Sequence, residues 1–189
     1  MSRNVHVVGV GMIPFVKPGA NKPYPDMASE ALRIALADAG MGYDSVEQAY
    51  VGYVYGESTA GQRAVYELGL TGIPIVNVNN NCSTGSTALY LATQAVKSGQ
   101  ADCALALGFE KMNPGALGTR FNDRPSPFER FDQATEELLG NVEIPLALRY
   151  FGGAGLAHMQ QYGTPLETFA RIRAKASRHA SHNPMALFR

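Results

Sequence analysis

Four short apolar runs alternate with three stretches of helical period between Val5 and Leu107, and that alternation limits the possible folds sharply. Val5 to Val10 reads as a buried strand. A loop rich in proline follows, and then Asp26 is placed to cap a helix from Met27 to Ala39, with Ala28, Ala31, Leu32, Ala35 and Leu36 on one face and Gly40 as its stop. Gln48 to Tyr53 reads as a second strand and Thr59 to Leu68 as a second helix ending at Gly69. Ile73 to Val78 gives a third strand, Cys82 to Lys97 a third helix closed by Gly99, and Cys103 to Leu107 a fourth strand. Strands separated by helices of this length need crossover connections, so the order β-α-β-α-β-α-β predicts a layered α/β fold with a mostly parallel sheet. The unbroken apolar run "CALALGF" is expected to be a central strand covered on both faces.

The pattern changes at Lys111. Residues 111 to 131 are rich in Gly, Pro, Asn and Asp and read as an excursion from the sheet. Two helices are expected beyond it, Ile144 to Tyr162 and Leu166 to Arg178. The second opens on a capping box in which Thr164 caps, Pro165 enters the first turn and Glu167 closes the box. The final "HNPMALFR" reads as the start of a connection with no strand after it, and a truncated chain is the expectation.

Composition narrows the function classes. The 189 residues are 46% hydrophobic and 17% charged with zero formal net charge, an ordinary globular balance that offers no electrostatic footprint for nucleic acid. Arg171, Arg173, Lys175, Arg178 and Arg189 crowd together near the end and read as a solvated helix face rather than an anion site. The N-terminus has neither a secretory h-region nor a membrane-spanning run. Two cysteines without a CxxC or zinc spacing argue against a disulfide or metal scaffold and for a reducing compartment, which fits the cytoplasm.

The chemistry concentrates at "VNVNNNCSTGSTAL". Buried inert packing is the default for a cysteine, and Cys103, inside an apolar strand, fits it. Cys82 instead follows a strand and opens a helix. That places it at the carboxyl edge of a parallel sheet, where unpaired N–H groups and the helix dipole favour a thiolate. Those N–H groups could also hold an oxyanion. Gly85 within the helix points to close approach by another element. Asn79, Asn80 and Asn81 read as cap and turn residues. A catalytic Cys82 needs a base, and spacing places none of His6, His158, His179 or His182 beside it. Gly9-Val10-Gly11 is not a dinucleotide loop, because Pro14 occupies the third glycine's place; no phosphate loop or serine elbow occurs either.

The segments "VVGVGMIPFVKPGA", "AYVGYVYGESTAGQRAVYELGLTGIPIVNVNNNCSTGSTAL", "ALALGFEKMNPGALG" and "HMQQYGT" resemble the thiolases, and among them the sterol carrier protein X type. The resemblance implies a thiolase-like layered fold, with an N-terminal thiolase-fold half over 1–110 and an inserted loop domain over 111–189, and a Cys82 nucleophile that attacks a 3-ketoacyl-CoA and passes the acyl group to CoA. It also implies coenzyme A as co-substrate with no permanently bound cofactor, acyl-CoA and CoA as partners, a homodimer or homotetramer in the complete protein, a strand Ile73 to Val78 that pairs across a dimer interface, and a peroxisomal location in a eukaryote. The family's Gly-His-Pro histidine and Cys-x-Gly cysteine do not occur in these residues, so the chain alone is expected to turn over little. Two other readings compete. One is a thiolase-like aldolase working with a partner protein and without the thiol; the other is a non-catalytic acyl-CoA or lipid-binding module.

Overall fold

The computed structural model describes residues 3–114, 121–141 and 143–188. It falls into two compact units, one of Met1–Pro114 with Met185–Leu187 and one of Gly115–Pro184 with Phe188–Arg189. In the first unit, helix α1 (Tyr24–Ala39) leads to strand β1 (Gln48–Gly52), helix α2 (Ala60–Val65), strand β2 (Ile75–Val78), helix α3 (Thr84–Ser98) and strand β3 (Ala104–Gly108). The strands form a parallel sheet in the order β2-β1-β3. Side chains alternate across β1: Ala49 and Val51 pack with Ala28 and Leu32 of α1 and with Ala64 and Val65 of α2, while Tyr50 packs with Ala88, Ala92 and Ala95 of α3. The unit is therefore three layers deep, with α1 and α2 on one face and α3 on the other. Phe109, just past β3, lies between the rings of Tyr24 and Tyr53 with centroids 5.0 and 5.1 Å away.

Several expectations change. Val5–Val10 joins no ladder, and Val7, Val8 and Val10 are 72, 60 and 65% exposed. Alternation gives this segment an extended backbone, but a strand is completed only by a hydrogen-bonding neighbour. What holds it is α1: a Cβ on Gly9 would lie 2.3 Å from the Ala35 carbonyl oxygen and one on Gly11 2.2 Å from that of Ala31, so the paired glycines serve close packing on the helix. Val10 N–H also donates to Asp38 (2.8 Å). Among the described residues β1, not β3, is the central strand; Ala104, Leu105 and Ala106 of β3 are only partly buried. Helix α1 starts three residues before the expected point. Pro23 occupies the N-cap and Pro25 the first turn, where missing N–H groups cost nothing, and Asp26 lies in the first turn rather than capping. Helix α2 is shorter than expected, stopping at Val65, and the chain turns on to Gly69.

The second unit holds α4 (Glu129–Leu139), α5 (Leu146–Tyr162) and α6 (Leu166–Ser181). Helix α4 was not expected from the sequence. It carries no buried residue, and its apolar Phe131, Ala134, Leu138 and Leu139 are interspersed with five charged residues. It packs on α5 through Tyr150, whose hydroxyl donates to Asp132 and whose ring meets Phe128 and Phe131, and through buried Arg149, 3.8 Å from Glu136. The capping box at α6 does not form: Pro165 takes the N-cap, Thr164 makes no cap bond, and Glu167 pairs with Arg171 at 2.8 Å. Arg171, Arg173, Lys175 and Arg178 are exposed along α6, the solvated face expected. Residues 115–120 of the expected excursion, and Arg189 of the basic group, lie outside the described residues.

Candidate active site

Register aligns Val78, Gly52 and Gly108 in one row at the carboxyl edge of the sheet. The segment after Val78 must turn there to deliver α3 back across the sheet, and its residues are built to do so. Asn81 adopts a left-handed backbone (φ +49°), a conformation that asparagine tolerates better than most side chains. Ser83 N–H donates to the Asn80 carbonyl (3.2 Å) and Thr84 N–H to that of Asn81 (3.1 Å). Buried Thr84 closes the turn with its hydroxyl, which accepts from Asn80 N–H (3.1 Å) and donates to the Asn81 carbonyl. The Asn80 amide reaches forward to the Thr87 hydroxyl (3.0 Å). Cys82 stands within this closed turn, a free and exposed thiol.

The seat beneath the turn requires missing side chains. A Cβ on Gly52 would lie 2.6 Å from the Thr84 carbonyl oxygen, and one on Gly108 3.4 Å from the Gly85 Cα. The close approach that Gly85 implied is thus to the end of β3. These contacts bring the first turn of α3 down onto the ends of β1 and β3 and fix where Cys82 can be.

Cys82 lies two residues before α3, so it precedes the helix rather than opening it; Ser83 is the N-cap. Of the first N–H groups, those of Ser83 and Thr84 are bound to Asn80 and Asn81. The N–H groups of Gly85 and Ser86 have no protein acceptor among the described residues, and these two are the donors left for an anion. The asparagines make the turn but supply no side-chain cap. No residue among those described hydrogen-bonds the Cys82 thiol. His6 lies in the unpaired N-terminal segment, His158 belongs to the second unit with its ring 4.7 Å from that of Tyr162, and His179 and His182 sit at the end of α6.

Glu110 went unnoticed in the sequence. Its carboxylate accepts the N–H of Val54 (2.9 Å) and of Tyr55 (3.1 Å), pinning the loop after β1 at the same edge as Cys82. Its signal was available: a carboxylate emerging directly from an apolar strand in "ALALGFE". Cys103 lies at the opposite edge, half-buried, its N–H and that of Asp102 facing the Glu47 carboxylate. Burial first, and then Glu47, push its thiol above the usual range.

Comparison with known proteins decides the family. The model of the thiolase N-terminal domain matches residues 5–142. The chain belongs to the thiolase family. Rat sterol carrier protein 2 is 56% identical over 187 residues, which cover 97% of this thiolase-family chain but 34% of the rat protein. The benzoylsuccinyl-CoA thiolase subunit BbsB of Thauera aromatica is 32% identical over 193 residues, covering all of this chain and 46% of that subunit. Among solved structures, the Ltp2-ChsH2(DUF35) aldolase matches with a TM-score of 0.69 at 20% identity, covering 96% of this chain and 44% of that one, and it supports the thiolase-like α/β fold. The chain spans about a third of the length of its sterol carrier protein relatives. No helix among the described residues is long and apolar enough to cross a membrane, and no three potential ligands among them cluster for a metal.

Proposed function

We propose that this chain is the nucleophile-bearing part of an acyl-CoA thiolase acting in lipid or sterol side-chain metabolism, with Cys82 as its nucleophile. The carrying observation is the exposed Cys82 thiol in a fixed turn at the carboxyl edge of a parallel sheet, directly ahead of a helix N-terminus. Cys82 Sγ attacks the C3 carbonyl of a 3-ketoacyl-CoA. The C2–C3 bond breaks, its electron pair leaves with the acetyl-CoA carbanion, and a proton completes acetyl-CoA. The acyl group stays on Cys82 as a thioester until the CoA thiolate attacks it, releasing the shortened acyl-CoA and restoring the cysteine thiolate. The free N–H groups of Gly85 and Ser86 lie where negative charge is favoured. Coenzyme A enters as co-substrate, and a base for Cys82 and the homo-oligomeric assembly belong to the longer protein.

Peptide mass spectrometry of the full-length protein after incubation with a short 3-ketoacyl-CoA is the direct test. The expected result is a peptide containing Cys82 heavier by the acyl group. The aldolase reading draws on the thiol-independent chemistry open to the same fold; cleavage of a β-hydroxyacyl-CoA that survives Cys82→Ala, with no adduct at Cys82, would replace the thiolase reading with it. The isolated 189 residues are expected to show little turnover, because they contain no Gly-His-Pro or Cys-x-Gly motif.

A further inference from the structure

Asn77 is a polar residue on an apolar face. It pairs in register with Val51, so its side chain shares the face on which Ala49, Val51 and Ile75 pack with Ala64 and Val65 of α2. Asparagine is a poor strand former, and a valine there would suit both the strand and the face better. The carboxamide does something a valine could not. Thr59, the N-cap of α2, has a left-handed backbone (φ +65°) and makes no side-chain cap bond. Asn77 Oδ1 supplies the missing acceptor from β2 and receives the N–H of Gly61 (2.9 Å), the second residue of the helix. Gly61 makes room for it: a Cβ at that position would lie 2.3 Å from Asn77 Oδ1. Since an N–H only donates, the Asn77 oxygen must face Gly61, and its Nδ2 donates to Gln62 Oε1 (2.7 Å). Gln62 Nε2 is then left to donate to the Ile75 carbonyl (3.2 Å), which ties two residues of β2 to two of α2 in one ring of bonds.

We propose that Asn77 is a positioning residue for Cys82, a role that rests on Cys82 being the nucleophile. Two loops leave the carboxyl edge side by side, residues 54–59 after β1 and 79–83 after β2, and Tyr53 N–H donates to the Val78 carbonyl (3.2 Å) where they part. The first loop is held at both ends. Glu110 takes the N–H groups of Val54 and Tyr55 at its start, and Asn77 takes that of Gly61 at its end. Asn77 is also next in the chain to Val78, the last residue of β2, so the carboxamide that anchors α2 fixes the point from which the turn bearing Cys82 departs. One side chain thereby keeps both loops at the thiol in a single arrangement, which is what a nucleophile that must meet a carbonyl carbon along one line requires.

The test follows adduct formation at Cys82 in the full-length protein during a single turnover of a short 3-ketoacyl-CoA, read by mass spectrometry over a range of substrate concentrations. Asn77→Val keeps a strand-forming side chain and removes the ring. Its maximal acylation rate per folded molecule is expected to fall about tenfold, while the half-saturating concentration stays within about twofold of wild type. Asn77→Asp keeps an oxygen for the Gly61 N–H and is expected to bring the rate back to within about threefold of wild type. Gln62→Leu removes the group that orients the carboxamide and should cost about threefold, with no further loss when it is added to Asn77→Val. Wild-type rates per folded molecule in Asn77→Val, or in Gln62→Leu should Asn77→Val not fold, overturn the positioning role and leave the nucleophile standing. An Asn77→Asp protein no faster than Asn77→Val does the same. No adduct on the wild-type protein overturns both.

Discussion

The two cysteines sit at opposite edges of one parallel sheet, and the edges are built alike yet serve different ends. At the carboxyl edge Glu110 accepts two consecutive N–H groups, those of Val54 and Tyr55; at the amino edge Glu47 faces those of Asp102 and Cys103. Each carboxylate ties a loop to the sheet. The thiols differ in what surrounds them: Cys82 is exposed in a turn that leads into a helix N-terminus, whereas Cys103 is half-buried beside a carboxylate that opposes its ionisation. Residue type is the same at both places. Position relative to strand direction and helix dipole makes one a candidate nucleophile and the other a packing residue.

The sharpest way to break this contrast is to exchange the thiols' fates. In the full-length protein Cys82→Ala is expected to abolish the acyl adduct, while Cys103→Ala leaves its yield within about twofold, both read by peptide mass spectrometry. Acylation that survives Cys82→Ala would end the distinction.

The seat of α3 comes next. Gly52→Ala puts a methyl against the Thr84 carbonyl, a backbone atom that cannot swing aside, and is expected to cost about 3 kcal/mol in urea unfolding. The same change should reduce adduct yield at Cys82, because it moves the turn that carries the thiol. A Gly52→Ala protein with unchanged midpoint and yield would mean that the close contact does not set the site.

The two glutamates give a smaller and paired effect. Glu110→Ala strands two N–H groups in a half-buried loop and should cost about 2 kcal/mol, together with a loss of acylation; Glu47→Ala, at an exposed carboxylate, should cost about 1 kcal/mol and leave acylation alone. Equal effects on acylation would show that the carboxyl edge has no special hold on Cys82.

The smallest effect is a pH slope. Cys103 has its thiol raised in the folded chain, so above the ordinary thiol value the unfolded chain holds fewer protons than the folded one, and stability falls as pH climbs toward the raised value. The difference between wild type and Cys103→Ala, measured by urea unfolding from pH 7 to pH 10, should isolate that slope. Iodoacetamide at pH 7 should modify Cys82 well ahead of Cys103.

Much of this was legible in the sequence because it rests on local rules. The periods of α1, α3, α5 and α6, the apolar strands β1, β2 and β3, and the turn at Asn81 follow from side-chain spacing and backbone preference within a few residues. Cys82 stood out for the same reason: strand, polar turn and small-residue helix are contiguous. Local pattern failed where the outcome belonged to a neighbour. Val5–Val10 has the composition of a strand as clear as that of Ala104–Gly108, but only the latter lies beside a partner. Helix α4 sets its apolar Phe131, Ala134 and Leu138 among charged residues and buries none of them, and Thr164 met the spacing of a cap without making its bond.

The sequence by itself determined the α/β order, the parallel sheet and the candidacy of Cys82, since periodicity and crossover length act within the chain. Only the tertiary structure decided that Gly9 and Gly11 serve α1, that Gly52 and Gly108 seat α3, that Glu110 ties down the loop beside the thiol and that β1, among the described residues, is the central strand. Close approach, hydrogen-bond satisfaction and ladder pairing are relations between segments remote along the chain, and no local pattern encodes which segments will meet.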